Sequence, residues 1–253
     1  MIVCKSPAEL EKMRAANQLV AQVLEELAAM VAPGVTTADL DAAAEARVRA
    51  AGAEPAFKGY RGYPATLCAS VNEQVVHGIP NRTALASGDI VSLDMGVKLN
   101  GYYGDSAVTV PVGTVDENVR KLLRVTREAL DQGIAQVKVG GRISDIGHAI
   151  QAHVEANGFS VVREFVGHGI GASLHEEPQI ANYGEPGRGP RLAEGMTLAI
   201  EPMVNMGKAA VRVLADGWTA VTRDGSLSAH FEHTVAVTKD GPLVLTLRPV
   251  AAL

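Results

Sequence analysis

Asp89-Ile90-Val91-Ser92-Leu93-Asp94-Met95-Gly96-Val97-Lys98-Leu99-Asn100-Gly101-Tyr102-Tyr103-Gly104-Asp105-Ser106-Ala107 joins two β-rich runs through an Asn-Gly pair. In the first run Val91, Leu93, Met95 and Val97 face one way, and Ser92, Asp94 and Gly96 face the other. Asn-Gly is the strongest short hairpin signal, because a type I′ turn needs positive φ at both central residues. With Asn100 and Gly101 as the loop, paired residue numbers sum to 201, which sets Asp94 opposite Ala107. Asp105 shares the face of Ala107, so Asp94 and Asp105 are diagonal neighbours roughly 7–8 Å apart at the backbone. Two carboxylates on one sheet face repel unless a proton or a cation lies between them. The alternative is a solvated polar face, although Asp is disfavoured inside strands and Gly96, Gly104 and Ser106 leave space around the pair.

Outward from this hairpin, helical and β-rich stretches recur in the same order. Ser6-Pro7-Ala8-Glu9 reads as a capping box with proline in the first turn, followed by helical periodicity up to Pro33-Gly34. A second helix is expected from a Thr37 cap to Gly52, a third over 116–138 and a fourth from Ser144 to Asn157-Gly158. The β-rich stretches are 65–76, 89–97, 102–112, 159–166, 195–204, 209–222 and 230–246. This order points to an internal repeat. An offset of 106 places Gly34 on Gly140, Asp39 on Asp145, Val48 on Val154 and Gly52 on Gly158. An offset of 107 places Gly88 on Gly195 and Leu93-Asp94 on Ile200-Glu201. Two similar α/β halves, facing each other across a pseudo-twofold axis, would put a shared site between them.

Composition narrows the class. The 253 residues are 47% apolar, enough for a sizeable core, and 23 basic against 28 acidic residues give a net charge of −5. That balance argues against a specific nucleic-acid partner. No apolar run approaches the roughly 18 residues of a membrane span, and the first residues lack a signal-peptide pattern. Two cysteines, Cys4 and Cys68, build no disulfide framework and point to a reducing, cytoplasmic setting.

Further polar residues stand in unusual places. His168 lies in Gly167-His168-Gly169-Ile170-Gly171, His175 in Leu174-His175-Glu176-Glu177-Pro178, and His77 before Gly78-Ile79-Pro80. Each taken singly reads more readily as a turn or surface residue. Glu201 falls in an otherwise apolar β run, and Glu232 enters another. A buried glutamate is costly without a partner, and one metal site would explain several at once. Asp94, Asp105, His168, Glu201 and Glu232 form an oxygen-rich set with one imidazole, suited to Mn, Fe, Co or Zn in a catalytic role. Four carboxylates fit two ions roughly 3.5–4 Å apart better than one.

These residues, in this order, resemble the type I methionine aminopeptidases of the pita-bread fold. The resemblance spans essentially the whole chain. It includes Gly59-Tyr60-Arg61-Gly62-Tyr63-Pro64, Cys68-Ala69-Ser70-Val71-Asn72-Glu73, His77-Gly78-Ile79-Pro80, Gly101-Tyr102-Tyr103-Gly104-Asp105, Gly167-His168-Gly169, His175-Glu176-Glu177-Pro178, Glu201-Pro202 and Phe231-Glu232-His233-Thr234. It implies an α/β (α+β) fold with antiparallel sheet and two helix pairs outside, one catalytic domain over 1–253 with halves roughly 1–112 and 113–253. The implied reaction is hydrolytic removal of N-terminal methionine from nascent polypeptides with a small second residue.

By the same resemblance Asp105 and Glu232 would bridge two divalent ions, Asp94 would hold one, and His168 and Glu201 the other. Glu201 would also act as general base, His175 would hydrogen-bond the developing oxyanion, and His77 would contact the substrate near the scissile amide. Tyr60, Tyr63, Cys68, Leu174 and Trp218 would line the methionine pocket with His77 and His175. Leu174 stands where Phe is common, Val76 where Cys is frequent and Tyr103 where His is frequent, which bears on substrate preference. Asn72 and Ser228 match positions near an auxiliary monovalent-ion site. A monomer is expected, and ribosome association belongs to the family without support from a basic tail here. An Xaa-Pro aminopeptidase or prolidase, and a non-catalytic pita-bread binding protein, are the alternatives.

Overall fold

Ser6 starts the first helix as its sequence requires. Its side chain accepts from the Glu9 N–H while Glu9 accepts the Ser6 N–H at 2.8 Å. The computed structural model describes residues 1–247. In chain order these form α1 (Pro7–Met30), α2 (Thr37–Ala50), β1 (Glu54–Pro55), β2 (Cys68–Val71) and β3 (Gln74–Val76). The hairpin β4 (Ile90–Leu99) and β5 (Tyr102–Pro111) follows, then α3 (Glu117–Ile134) and α4 (Ile143–Ala156). Short strands come next: β6 (Ser160–Val161), β7 (Gly167–Gly169), β8 (Glu176–Ile180), β9 (Thr197–Ile200) and β10 (Met203–Asn205). The last are β11 (Val211–Val213), β12 (Ala220–Thr222), β13 (Ser228–His230), β14 (His233–Thr238) and β15 (Gly241–Val244).

Helix ends differ from the expected ones by a residue or a turn. Thr36, not Thr37, caps α2, because its side chain is the one that accepts the Asp39 N–H. Asp116 caps α3, which stops at Ile134, and α4 begins at Ile143 with Asp145 accepting the Arg142 N–H. Glycines paired by the repeat offsets share left-handed backbone: Gly34 and Gly140 (φ 94° and 86°), Gly52 and Gly158 (72° and 85°), Gly88 and Gly195 (103° and 86°).

The β4–β5 register is the one the turn predicts. Asp94 pairs with Ala107 and Gly96 with Asp105, and Asn100 and Gly101 have φ of 53° and 83°. β4 carries β5 on one edge and β2 and β1 on the other. Helix α1 lies against β4 and β5 and buries Met13, Ala16, Val20, Val23, Leu24 and Leu27. It comes so close that a Cβ on Gly104 would sit 2.8 Å from the Ala16 carbonyl carbon. In the second half α3 packs on α4, and β15, β14, β9, β7 and β8 form an antiparallel sheet in that order.

The two sheets meet where β5 crosses the entry to β14. The Glu232 N–H donates to Ala107 O at 2.9 Å, Ser106 Oγ to Glu232 O at 2.6 Å and Thr234 Oγ1 to Asp105 O at 2.8 Å. Thr109 Oγ1 donates to His230 O and accepts the His230 N–H, both at 2.8 Å. This joint sets Asp105 beside Glu232.

The Gly167-His168-Gly169 segment is a strand held between β8 and β9, where the sequence suggests a glycine-rich loop. Its glycines serve backbone approach: a Cβ on Gly167 would lie 2.3 Å from Ala199 O, and one on Gly169 2.3 Å from Glu177 O. Gly167→Ala is therefore expected to destabilise the protein by about 1–3 kcal/mol, measured as a lower urea midpoint, because backbone must shift to admit the methyl. An unchanged midpoint would show that the strands yield freely there.

Candidate metal and substrate site

Each expected ligand comes from a different stretch of the chain. Asp94 sits inside β4, Asp105 inside β5 and His168 inside β7. Glu201 lies between β9 and β10, within the β-rich stretch expected there, and Glu232 bridges to Ala107 and leads directly into β14. All five line one cavity of about 200 Å³. Ligand atoms of Asp105, His168 and Glu232 lie within 4.8 Å of one another. The Nε2 of His168 is 3.8 Å from Asp105 Oδ2 and 3.7 Å from Glu201 Oε1.

The chemistry of these groups fits a cation. Asp105 and Glu232 are 4% and 2% exposed, and Asp105 Oδ1 and Glu232 Oε1 have no hydrogen-bond partner among the described residues. Such orphaned carboxylate oxygens are costly unless a proton or metal takes them. His168 Nδ1 lies 2.8 Å from the Gly169 carbonyl oxygen. That carbonyl accepts the Nδ1 proton and leaves the Nε2 lone pair aimed at the carboxylates, the tautomer a metal ligand needs.

Burial pushes the Glu201 carboxyl up to about 8 and the Asp94 carboxyl up to about 7, the latter against the pull of His230. Burial, with neighbouring carboxylates, also lifts Asp105 and Glu232 well above their usual range. Without its cation the cluster thus holds protons at neutral pH that the same side chains would have lost in the unfolded chain. Stability from this site is full below the unfolded carboxylate range, near pH 4, and is lost as pH rises towards about 8. Metal-stripped protein should melt lower at pH 8 than at pH 5. Added Mn(II) should raise the melting temperature more at pH 8, with proton release seen in calorimetry at pH 7. Metal binding without proton release would contradict protonated carboxylates.

The remaining expected residues surround the cavity. Tyr60, Tyr63, Cys68, His77, Leu174, His175 and Trp218 all line it. The Tyr63 hydroxyl reaches the carbonyl oxygens of Leu67 (3.1 Å) and Gly78 (2.9 Å), and its ring meets Trp218 edge-on at 5.1 Å. Burial raises the Cys68 thiol, so Cys68 is a neutral wall and not a nucleophile. His77 has left-handed backbone (φ 60°), a costly conformation for a residue with a Cβ. Its ring stands edge-on to Phe165 and Trp218, and burial brings it down to about 4, neutral at pH 7. His175 stacks on Tyr60 with centroids 5.3 Å apart, lies 4.2 Å from the His168 ring and has Nδ1 2.9 Å from the Tyr60 hydroxyl. Val76 also lines the cavity. Tyr103 packs with the core cluster around Met13, Ala56 and Leu174, outside the lining.

Phe57, Phe165 and His230 escape the sequence reading. Phe57 and Phe165 line the cavity and carry no distinguishing local pattern. His230 is buried with Nε2 3.5 Å from Glu201 Oε2, and its spacing of two from Glu232 in a β run was the available signal.

With this geometry in view, the chain's relatives are informative. The profile of metallopeptidase family M24 matches residues 11–239. Methionine aminopeptidase 1 of Bacillus subtilis is 55% identical over 246 residues, covering 97% of this chain and 99% of its own. Methionine aminopeptidase of Clostridium perfringens is 53% identical, covering 98% and 99%. The crystal structure of methionine aminopeptidase from Thermotoga maritima superposes with a TM-score of 0.96 at 50% identity, covering 98% of this chain and all of that one. Prolidase from Pyrococcus furiosus, at 22% identity and a TM-score of 0.79 over 98% of this chain and 66% of its own, shares the fold. A pita-bread fold with a buried carboxylate–imidazole cluster and these near-full-length relatives leaves one conclusion: the chain belongs to metallopeptidase family M24, on its methionine aminopeptidase branch.

Proposed function

We propose that this chain hydrolyses the first peptide bond of polypeptides that begin with methionine and have a small second residue, releasing free methionine. The observation that carries this reading is the position of the carboxylate–imidazole cluster in a small cavity walled by Tyr63, Cys68, Leu174 and Trp218. An aromatic and soft-edged wall suits a flexible thioether, and acidic residues beside it suit a free N-terminal amine. The natural substrates on this reading are newly made, deformylated chains in the cytoplasm.

Asp94, Asp105, His168, Glu201 and Glu232 would hold two divalent ions, Co, Mn, Fe or Zn. Bound there, the ions supply Lewis acidity and a water activated at neutral pH. Glu201 accepts the proton of the attacking water and delivers it towards the leaving amine. His175 keeps its ring neutral because partial enclosure, and then the Arg61 charge, lower its affinity for a proton. With Nδ1 accepting from the Tyr60 hydroxyl, Nε2 carries the hydrogen and donates it to the substrate's carbonyl oxygen as charge develops. His77, neutral and held by Phe165 and Trp218, contacts the scissile amide.

The test is a matched assay on metal-stripped protein reloaded with Mn(II), Fe(II) or Co(II). Metal-dependent release of methionine from Met-Ala-Ser, with little from Met-Leu-Ser and none from Ala-Pro-Ser, is the expected result. Cleavage of Ala-Pro-Ser instead would move the chain to proline-specific chemistry, and no cleavage with any metal would remove the enzymatic reading.

A further inference from the structure

His230 ends β13 with 1% of its surface exposed. Thr109 fixes its backbone from both sides, donating to its carbonyl and accepting its N–H. Neither ring nitrogen has a hydrogen-bond partner among the described residues. A buried imidazole without a partner is costly, so the carboxylate within reach of it carries the explanation. That group is Glu201, whose Oε2 lies 3.5 Å from His230 Nε2.

The two oxygens of Glu201 are divided between two histidines. Oε1 faces His168 Nε2 at 3.7 Å, on the side of Asp105 and Glu232, while Oε2 faces His230. Asn182 Nδ2 donates to the Glu201 backbone carbonyl at 3.1 Å, which anchors the main chain and leaves the carboxylate free to rotate. A carboxylate that both ligates and accepts a proton needs its plane fixed, and donors behind the ligand commonly do this.

We infer that His230 is a positioning residue, whose Nε2–H holds Oε2 of Glu201 and so presents Oε1 to the metal cluster. The inference rests on the functional reading above and adds a residue for which that reading has no role. His230 touches neither substrate nor reacting atoms on this account; it acts through Glu201.

The test compares His230→Leu, which keeps bulk, with His230→Gln, whose amide donor reaches about as far as Nε2. Metal-stripped native and variant proteins are titrated with Co(II), following the visible absorption bands, and then assayed on Met-Ala-Ser. The Leu variant is expected to show shifted Co(II) bands, with metal affinity or kcat reduced about 10–100-fold. Its KM should stay close to native, and Gln should restore most of the loss. Native bands and kcat in the Leu variant, or Gln as impaired as Leu, would overturn the inference. Should the Leu variant fail to fold by circular dichroism, His230→Asn replaces it, because its shorter amide falls short of Oε2; Asn equal to Gln would then overturn it. If the native protein releases no methionine with any cation, the functional reading falls, and the Co(II) titration alone decides the part played by His230.

Discussion

Glu201→Gln is expected to lower kcat on Met-Ala-Ser by about 10²–10⁴-fold, the usual contribution of a positioned general base, with a much smaller change in KM. Gln keeps the size of the side chain and one coordinating oxygen but accepts no proton. The backbone at 201 should not move, because Asn182 and the pairing of Ile200 with His233 hold it independently of the carboxylate. Metal content must be measured beside the kinetics, since Glu201 has two proposed duties. A variant that retains its metal and loses turnover supports the proton-transfer duty. One that loses metal shows coordination to be the larger part. Full metal content with kcat within about tenfold of native would remove the base assignment.

The second large effect is expected at His175. His175→Ala should reduce kcat by about 10²–10³-fold, the cost of removing one oxyanion donor, and leave KM close to native. The hydrogen bond to Tyr60 makes a graded companion. Tyr60→Phe keeps the stacked ring but removes the hydroxyl that sets the tautomer, so its loss should be smaller than that of the alanine variant. A raised KM with unchanged kcat in His175→Ala would mean that the ring only binds the substrate.

The part of this site legible in sequence has a clear physical boundary. Asp94 and Asp105 could be paired before any coordinates because Asn100-Gly101 admits one hairpin geometry, and strand alternation does the rest. The repeat offset links Glu201 to Asp94, and the cost of lone buried polar residues groups His168 and Glu232 with them. Their individual roles needed the resemblance, since no local pattern says which distant strands converge. The Gly167–Gly169 strand was illegible as a strand. Its glycines answer carbonyls of Ala199 and Glu177 from two other strands, and a residue chosen for a neighbour's backbone leaves no periodicity of its own. The α2 cap moved by one residue because Thr36 and Thr37 are chemically equal, and only backbone geometry selects between them. His230 is hard to assign for a similar reason: the carboxylate its ring faces, Glu201, is 29 positions away in the chain.

The joint between β5 and β14 has a consequence for how the protein is assembled. Its side-chain hydrogen bonds link residues separated by 121 to 129 positions, such as Thr109 with His230 and Asp105 with Thr234. Closing so long a loop must precede any contact across it, which makes this junction a late event on the folding route. Until then Asp94 and Asp105 belong to one collapsing segment, and His168, Glu201 and Glu232 to another. On the proposed ligand set, a divalent ion would meet all five residues together only after the topology is complete. Bound there, it would act as a latch on the finished molecule, slowing its opening without guiding the chain in its search for the fold.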